Sequence, residues 1–170
     1  MSDDPDDRPF PPPFHGEMTL REARALLREL VLGGGEHDCP CCSQLAKIYA
    51  RSIYGSVAAD LIRVAHAGGM DAREYVKPIE LVRQRAPDLV KTRYWGLVEK
   101  LEGERDDGSR RVGFWRLTPS GLAFVRRQLA VPKHARVYDN KCLGLTGDPV
   151  TIVDCLGKRF DYAELMGWTL

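Results

Sequence analysis

Residues 87–129, PDLVKTRYWGLVEKLEGERDDGSRRVGFWRLTPSGLAFVRRQL, constrain this chain most, because their apolar spacing passes from helical to extended and back. Val90, Tyr94, Leu97, Val98 and Leu101 recur at helical spacing, with Asp88 after Pro87 as the expected N-cap. The polar run Glu102–Arg111 contains Asp106-Asp107-Gly108-Ser109, residue types that reverse a chain. Arg111–Thr118 is rich in the aromatic and β-branched residues that suit a pleated surface. Thr118 or Ser120 caps a following helix, and Pro119 fits its first turn, where no backbone donor is needed.

Upstream, Ser56–His66 predicts a helix with Ala58, Leu61, Ile62 and Ala65 on its core face, ended by Gly68-Gly69. His66 stands at its end, where the helix dipole favours a cation. Tyr75–Pro78 reads as a short strand, and Ile79–Ala86 as a short helix stopped by Pro87. The order from Ser56 is therefore helix, strand, helix, helix, strand, turn, strand, helix. That order over residues 56–130 resembles a winged-helix domain and implies an α+β fold with a winged helix-turn-helix core. In such domains the third helix enters the major groove and the wing meets phosphate or the minor groove. The resemblance implies DNA contacts from Lys91, Thr92, Arg93 and Trp95 on the helix, and from Arg105, Arg110 and Arg111 on the wing. On a helical wheel with Val90, Tyr94 and Leu97 inward, the outermost positions are Asp88, Thr92, Trp95 and Glu99.

Charge bears on that expectation. The whole chain of 170 residues carries a net charge of +1, but residues 83–127 hold eleven Lys/Arg against six Asp/Glu, net +5. The start, MSDDPDDRPF, is acidic and without the basic and apolar regions of a secretory signal, so a cytoplasmic setting is expected. Residues 1–16 read as a disordered acidic and proline-rich tail. Residues 17–55 read as an N-terminal helix plus a cysteine knuckle, and residues 131–170 as a β-hairpin with a short helix. The N-terminal helix opens at Thr19, where Glu22 completes a capping-box pattern. Its apolar stripe is Leu20, Ala23, Leu26, Leu27, Leu30 and Val31, which serves either a homodimer or packing within the monomer. Leu45–Ile53 is helical in pattern. In the C-terminal part, Ala135–Tyr138 and Cys142–Leu145 flank a turn at Asp139-Asn140, and Gly147-Asp148-Pro149 turns again. Val150–Val153 either adds a strand or begins a helix, and a last helix over Phe160–Met166 follows an Asp161 cap.

Five cysteines without a secretory signal favour metal ligation over a disulfide framework. Cys39-Pro40-Cys41-Cys42 has the C-x-x-C spacing of a knuckle that aims two thiolates at one metal. A structural zinc takes four thiolate or imidazole ligands. Cys142 and Cys155 are one way to complete the set; His37, Cys41 and His134 are another. Zinc ribbons usually place Gly after the second cysteine, and here Ser43 stands there. The chain has no H-E-x-x-H, and no H-x-E followed by P-C-x-x-C. His37, His66 and His134 have no nucleophile at a telling spacing, so binding rather than catalysis is expected.

CPCCSQLAKIYARSI, RYWGLVEK, GFWRLTPSGLAFV and FDYAELM are similar to segments of small proteins encoded by actinobacterial phages and prophages. That similarity implies a cytoplasmic setting in a bacterial host and brings no activity of its own. With the winged-helix resemblance and the cysteine knuckle, the expected function is that of a phage or prophage regulator, a DNA-binding transcription regulator with a structural zinc. The alternative is a winged-helix module that binds a host or phage protein through Trp95 and the wing, without DNA.

Overall fold

The computed structural model describes residues 13–82, 86–103 and 113–167. Among these no helix is long and apolar enough to cross a membrane. The chain has a mixed α+β architecture with antiparallel sheets and divides into two compact units, residues 1–50 with 137–141, and residues 51–136 with 142–170.

In the first unit, α1 (Leu20–Gly33) starts at the expected capping box: Thr19 Oγ1 accepts the Glu22 N–H, and the Glu22 carboxylate accepts the Thr19 N–H. Ala23, Leu27 and Val31 are buried, with Leu26 and Leu30 partly so. Leu20, expected in the stripe, is 62% exposed at the first position of the helix. Phe14 is buried against α1, so the tail expected through residue 16 is packed by Phe14; residues 1–12 lie outside the described residues. The short strands β1 (His37–Asp38) and β2 (Leu45–Ala46) pair antiparallel, His37 with Ala46 and Asp38 with Leu45.

The helix expected over Leu45–Ile53 is absent. β2 and then β3 (Tyr49–Ser52) occupy it, since Ile48, Tyr49 and Ile53 favour extended chain once pairing partners exist.

The second unit is built around α2 (Gly55–Ala67), buried on most sides through Val57, Ala58, Ala59, Leu61, Ile62, Val64 and Ala65. Its Asp60 is fully buried and paired with Arg63. α3 (Pro78–Val82), α4 (Ala86–Leu89), α5 (Pro119–Val125), α6 (Ile152–Leu156) and α7 (Tyr162–Leu165) pack around it. Pro87 does not stop a helix; it lies in the first turn of α4, the one part of a helix that tolerates it. α4 runs into a 3-10 turn, Val90–Trp95, which ends at Gly96 with φ 70°. The expected helix over residues 87–101 is thus cut short, and Val98–Lys100 is strand β4. Asp88 lies inside α4 rather than capping it.

β4 pairs antiparallel with β5 (Trp115–Leu117), placing Val98 opposite Leu117 and Lys100 opposite Trp115. On the other side of β5, Val76 exchanges two backbone hydrogen bonds of 2.8 Å with Trp115. The spatial order is therefore Val76, β5, β4. Thr118 caps α5 as expected, its Oγ1 accepting the Gly121 N–H at 3.0 Å. The helix stops at Val125, short of the expected Leu129, and Arg127 has a positive φ. The expected wing turn at 106–109 lies outside the described residues.

β6 (Val131–Tyr138) and β7 (Lys141–Val150) form the expected hairpin, in a sheet of order β3-β6-β7. Asp139 and Asn140 both take positive φ, the pattern of a two-residue turn matched to strand twist. No second turn occurs at 147–149. Gly147, with φ 89°, absorbs the irregularity and β7 continues. Thr151 and Asp161 then cap α6 and α7.

Candidate functional site

The two places to which the sequence assigns function lie in different units. In the second unit, the α4 and 3-10 segment displays its side chains differently from the helical expectation. Thr92 and Trp95, expected outermost, are 2% and 8% exposed. The Thr92 hydroxyl donates to the Leu89 carbonyl at 2.7 Å, and Trp95 Nε1 donates to the Pro132 carbonyl at 2.7 Å. Neither side chain is presented to a ligand on this face. Lys91 and Arg93 are half-exposed. Lys91 Nζ sits 2.7 Å from Asp88 Oδ1, and the Arg93 guanidinium lies over the Tyr94 ring at 4.8 Å. The Lys91 hydrogen bond, then that of Tyr54, holds the Asp88 carboxyl below its ordinary range.

Across the sheet, Arg116 pairs with Glu99 at 2.6 Å and stacks over Tyr75. A cleft of about 570 Å³ opens here, lined by Arg93, Glu99, Lys100, Glu102 and the half-buried Trp115 among others. Arg105, Arg110 and Arg111 lie outside the described residues.

In the first unit the knuckle loop closes between β1 and β2. The Cys39 N–H donates to the Gln44 carbonyl at 2.9 Å, and the Ser43 N–H donates to the Cys39 carbonyl at 2.8 Å. Ser43 takes φ 55°, the left-handed conformation for which glycine is the usual choice at this point of a zinc ribbon. Burial raises the Cys39 thiol. The backbone N–H groups of Cys41 and Cys42, with the two thiols, outweigh it and leave Cys39 below its ordinary value. Cys41 and Cys42 are exposed. His37 Nε2 is buried without a hydrogen-bond partner, beside Gly35.

The other two candidate ligands belong to the second unit. Cys142 is exposed on β7, its Sγ directed at the Gly144 carbonyl at 3.7 Å. Cys155 is partly buried in α6, where burial, then Asp154, pushes its thiol up to about 11. Among the described residues no three His, Cys, Asp or Glu side chains already gather round one point.

One contact had no signal in the sequence. Ser52 Oγ and His134 Nδ1 lie 2.8 Å apart, joining β3 to β6 across 82 positions. His66 Nε2, in the last turn of α2, lies 3.1 Å from the Leu165 carbonyl.

Comparison of the chain with protein-family models, with curated proteins and with solved structures finds no match.

Proposed function

We propose that residues 56–130 form a winged-helix domain that binds duplex DNA, in a regulator whose first unit carries a structural zinc at the Cys39–Cys42 knuckle. The observation that carries this reading is the strand order Val76, β5, β4, with Val76 between α2 and α3 in the chain, α3 and α4 before β4, and α5 after β5. It is the strand order expected of a winged helix. The charge of residues 83–127, net +5, supplies the attraction to phosphate.

Burial changes the residues that make contact. Thr92 and Trp95 support the fold from inside, so base readout does not run through them. Lys91 and Arg93 on the 3-10 turn, with Arg105, Arg110 and Arg111, are the phosphate-contacting set. The zinc reading is supported by the loop closure at Ser43 and by the N–H groups directed at the Cys39 sulfur. A phage or prophage origin and a cytoplasmic setting belong to the same reading.

The ion pairs favour a second reading. Among the described residues Lys91 pairs with Asp88 and Arg116 with Glu99, a compensation of charge that suits a protein-interaction module. The cleft with Trp115, rather than the buried Trp95, is then the contact surface.

Anisotropy titration of random-sequence duplex at two salt concentrations decides between them. The DNA reading expects binding that weakens steeply with salt, and a slope reduced by about 2 in the Arg110→Ala, Arg111→Ala double variant. No binding at about 10 μM protein in low salt, well inside the usual non-specific range, refutes DNA binding and leaves the module.

A further inference from the structure

We propose that the cleft between the end of α2, the segment after α5, and α7 is a binding site for a small aromatic carboxylate. The inference goes beyond the DNA reading and does not depend on it. The cleft lies wholly within the second unit, measures about 370 Å³ and is lined by His66, Met70, Arg126, Gln128, Tyr162 and Met166. That volume falls in the range of about 300–1,000 Å³ usual for small-molecule sites.

The lining divides by chemistry. Tyr162 in α7 and Met166 at its C-cap are each 8% exposed, and Met70 is partly buried. The Tyr162 hydroxyl already donates to the Val125 carbonyl at 2.8 Å, so the ring is what Tyr162 offers a ligand. A phenol ring beside two thioethers favours an aromatic guest through ring–ring and sulfur–ring contacts, and unbranched methionines adjust to its shape.

His66, Arg126 and Gln128 are exposed and make the polar part of the lining. Arg126 Nη2 donates to the Met70 carbonyl at 2.6 Å, which holds the guanidinium at the cleft and leaves its other N–H groups for a ligand. Among the described residues no carboxylate pairs with Arg126, and none lines the cleft. A guanidinium in that state is matched by a carboxylate, which accepts two of its N–H groups at once. The Gln128 amide adds a further donor. His66 Nε2 is engaged with the Leu165 carbonyl at 3.1 Å, and since a carbonyl only accepts, that nitrogen carries a proton. An apolar floor with donors at the rim thus selects an aromatic anion over a cation of the same shape.

The test uses the full chain with isotope-labelled methionine methyl groups, read by NMR. Met70 and Met166 line the cleft, and Met18, in the first unit, is the internal reference. Phenylacetate should shift the Met70 and Met166 signals, assigned by Met70→Leu and Met166→Leu, saturably and with millimolar or tighter affinity, and leave Met18 unmoved. Phenethyl alcohol, similar in shape and uncharged, should bind about tenfold or more weakly because it forgoes the charge-assisted bond to Arg126, and phenethylamine should not compete. Arg126→Met keeps an apolar stem and removes the charge, so phenylacetate should fall to the affinity of phenethyl alcohol; circular dichroism shows that the variant is folded. Should it not fold, the ranking of the three probes on the wild type is the test. Absence of a saturable shift at Met70 and Met166, equal affinity for the three probes, or undiminished phenylacetate binding by folded Arg126→Met overturns the assignment. No arm contains DNA, so its failure is distinct from failure of the DNA reading.

Discussion

Replacing Gly121 by alanine tests the packing that holds β4, and with it the proposed wing, in place. Gly121 is buried in the first turn of α5, where alanine would ordinarily be favoured over glycine by about 1 kcal/mol. Here an added Cβ would stand 1.9 Å from the Leu97 carbonyl oxygen and 2.9 Å from its carbon. The obstacle is backbone, and Leu97 itself is fully buried, so no side chain can swing aside. The Leu97 carbonyl also accepts the Thr118 N–H at 3.0 Å, the bond that ties the start of β4 to the cap of α5. Relief of the clash requires α5 and β4 to separate. Overpacking of this kind costs about 1–3 kcal/mol, and weakening the Leu97–Thr118 bond adds about 1 kcal/mol. Set against the helix preference, the net loss is about 1–3 kcal/mol. Gly33→Ala is the control: it is also helical, and an added Cβ meets nothing within 4 Å, so stability should hold or rise by up to about 1 kcal/mol. Urea unfolding followed by tryptophan fluorescence and far-ultraviolet circular dichroism reads both variants. Gly121→Ala with a midpoint equal to wild type would refute the close approach of α5 to β4.

Trp95→Phe should cost about 2 kcal/mol, because the Pro132 carbonyl loses the indole donor inside the core; a loss below about 0.5 kcal/mol in urea melts would place Trp95 at the surface. Asp88 has a depressed pKa, so its contribution is present above the unfolded value and is lost as pH falls below about 4 through the folded value. Asp88→Asn should therefore flatten the acid limb of stability against pH, modestly since the pair is partly exposed; identical limbs in the two proteins would argue against the Lys91 and Tyr54 contacts.

Where sequence and structure agree, the chemistry is short-range. The Thr19–Glu22 box, the Thr118 cap with Pro119, the Asp139-Asn140 turn and the Asp161 cap each need only residues within four positions of one another. Pairing partners are what residues 45–53 lacked on paper. Leu45, Ile48 and Ile53 fit a helical stripe until β1 and β6 are brought alongside as hydrogen-bonding neighbours. The Ser52–His134 contact and the buried Nε2 of His37 likewise exist only in the folded chain.

The candidate recognition segment shows how a small change of period moves a whole surface. A wheel at 3.6 residues per turn, carried through Leu101, sends Thr92 and Trp95 outward. The segment instead tightens to a 3-10 turn and stops at Gly96. At three residues per turn, positions i, i+3 and i+6 stack on one side. Leu89, Thr92 and Trp95 are that row, and all three are buried. Buried together, they take the polar atoms of Thr92 and Trp95 into internal hydrogen bonds, and Lys91 and Arg93 are left between them on the half-exposed side. Lys91 and Arg93, not Thr92 and Trp95, are therefore the side chains this segment offers to a partner. Thr92→Ala removes a buried hydroxyl that donates to the Leu89 carbonyl, so it should lower stability by about 1 kcal/mol in urea melts, and, if the proposed DNA binding holds, leave sequence preference unaltered.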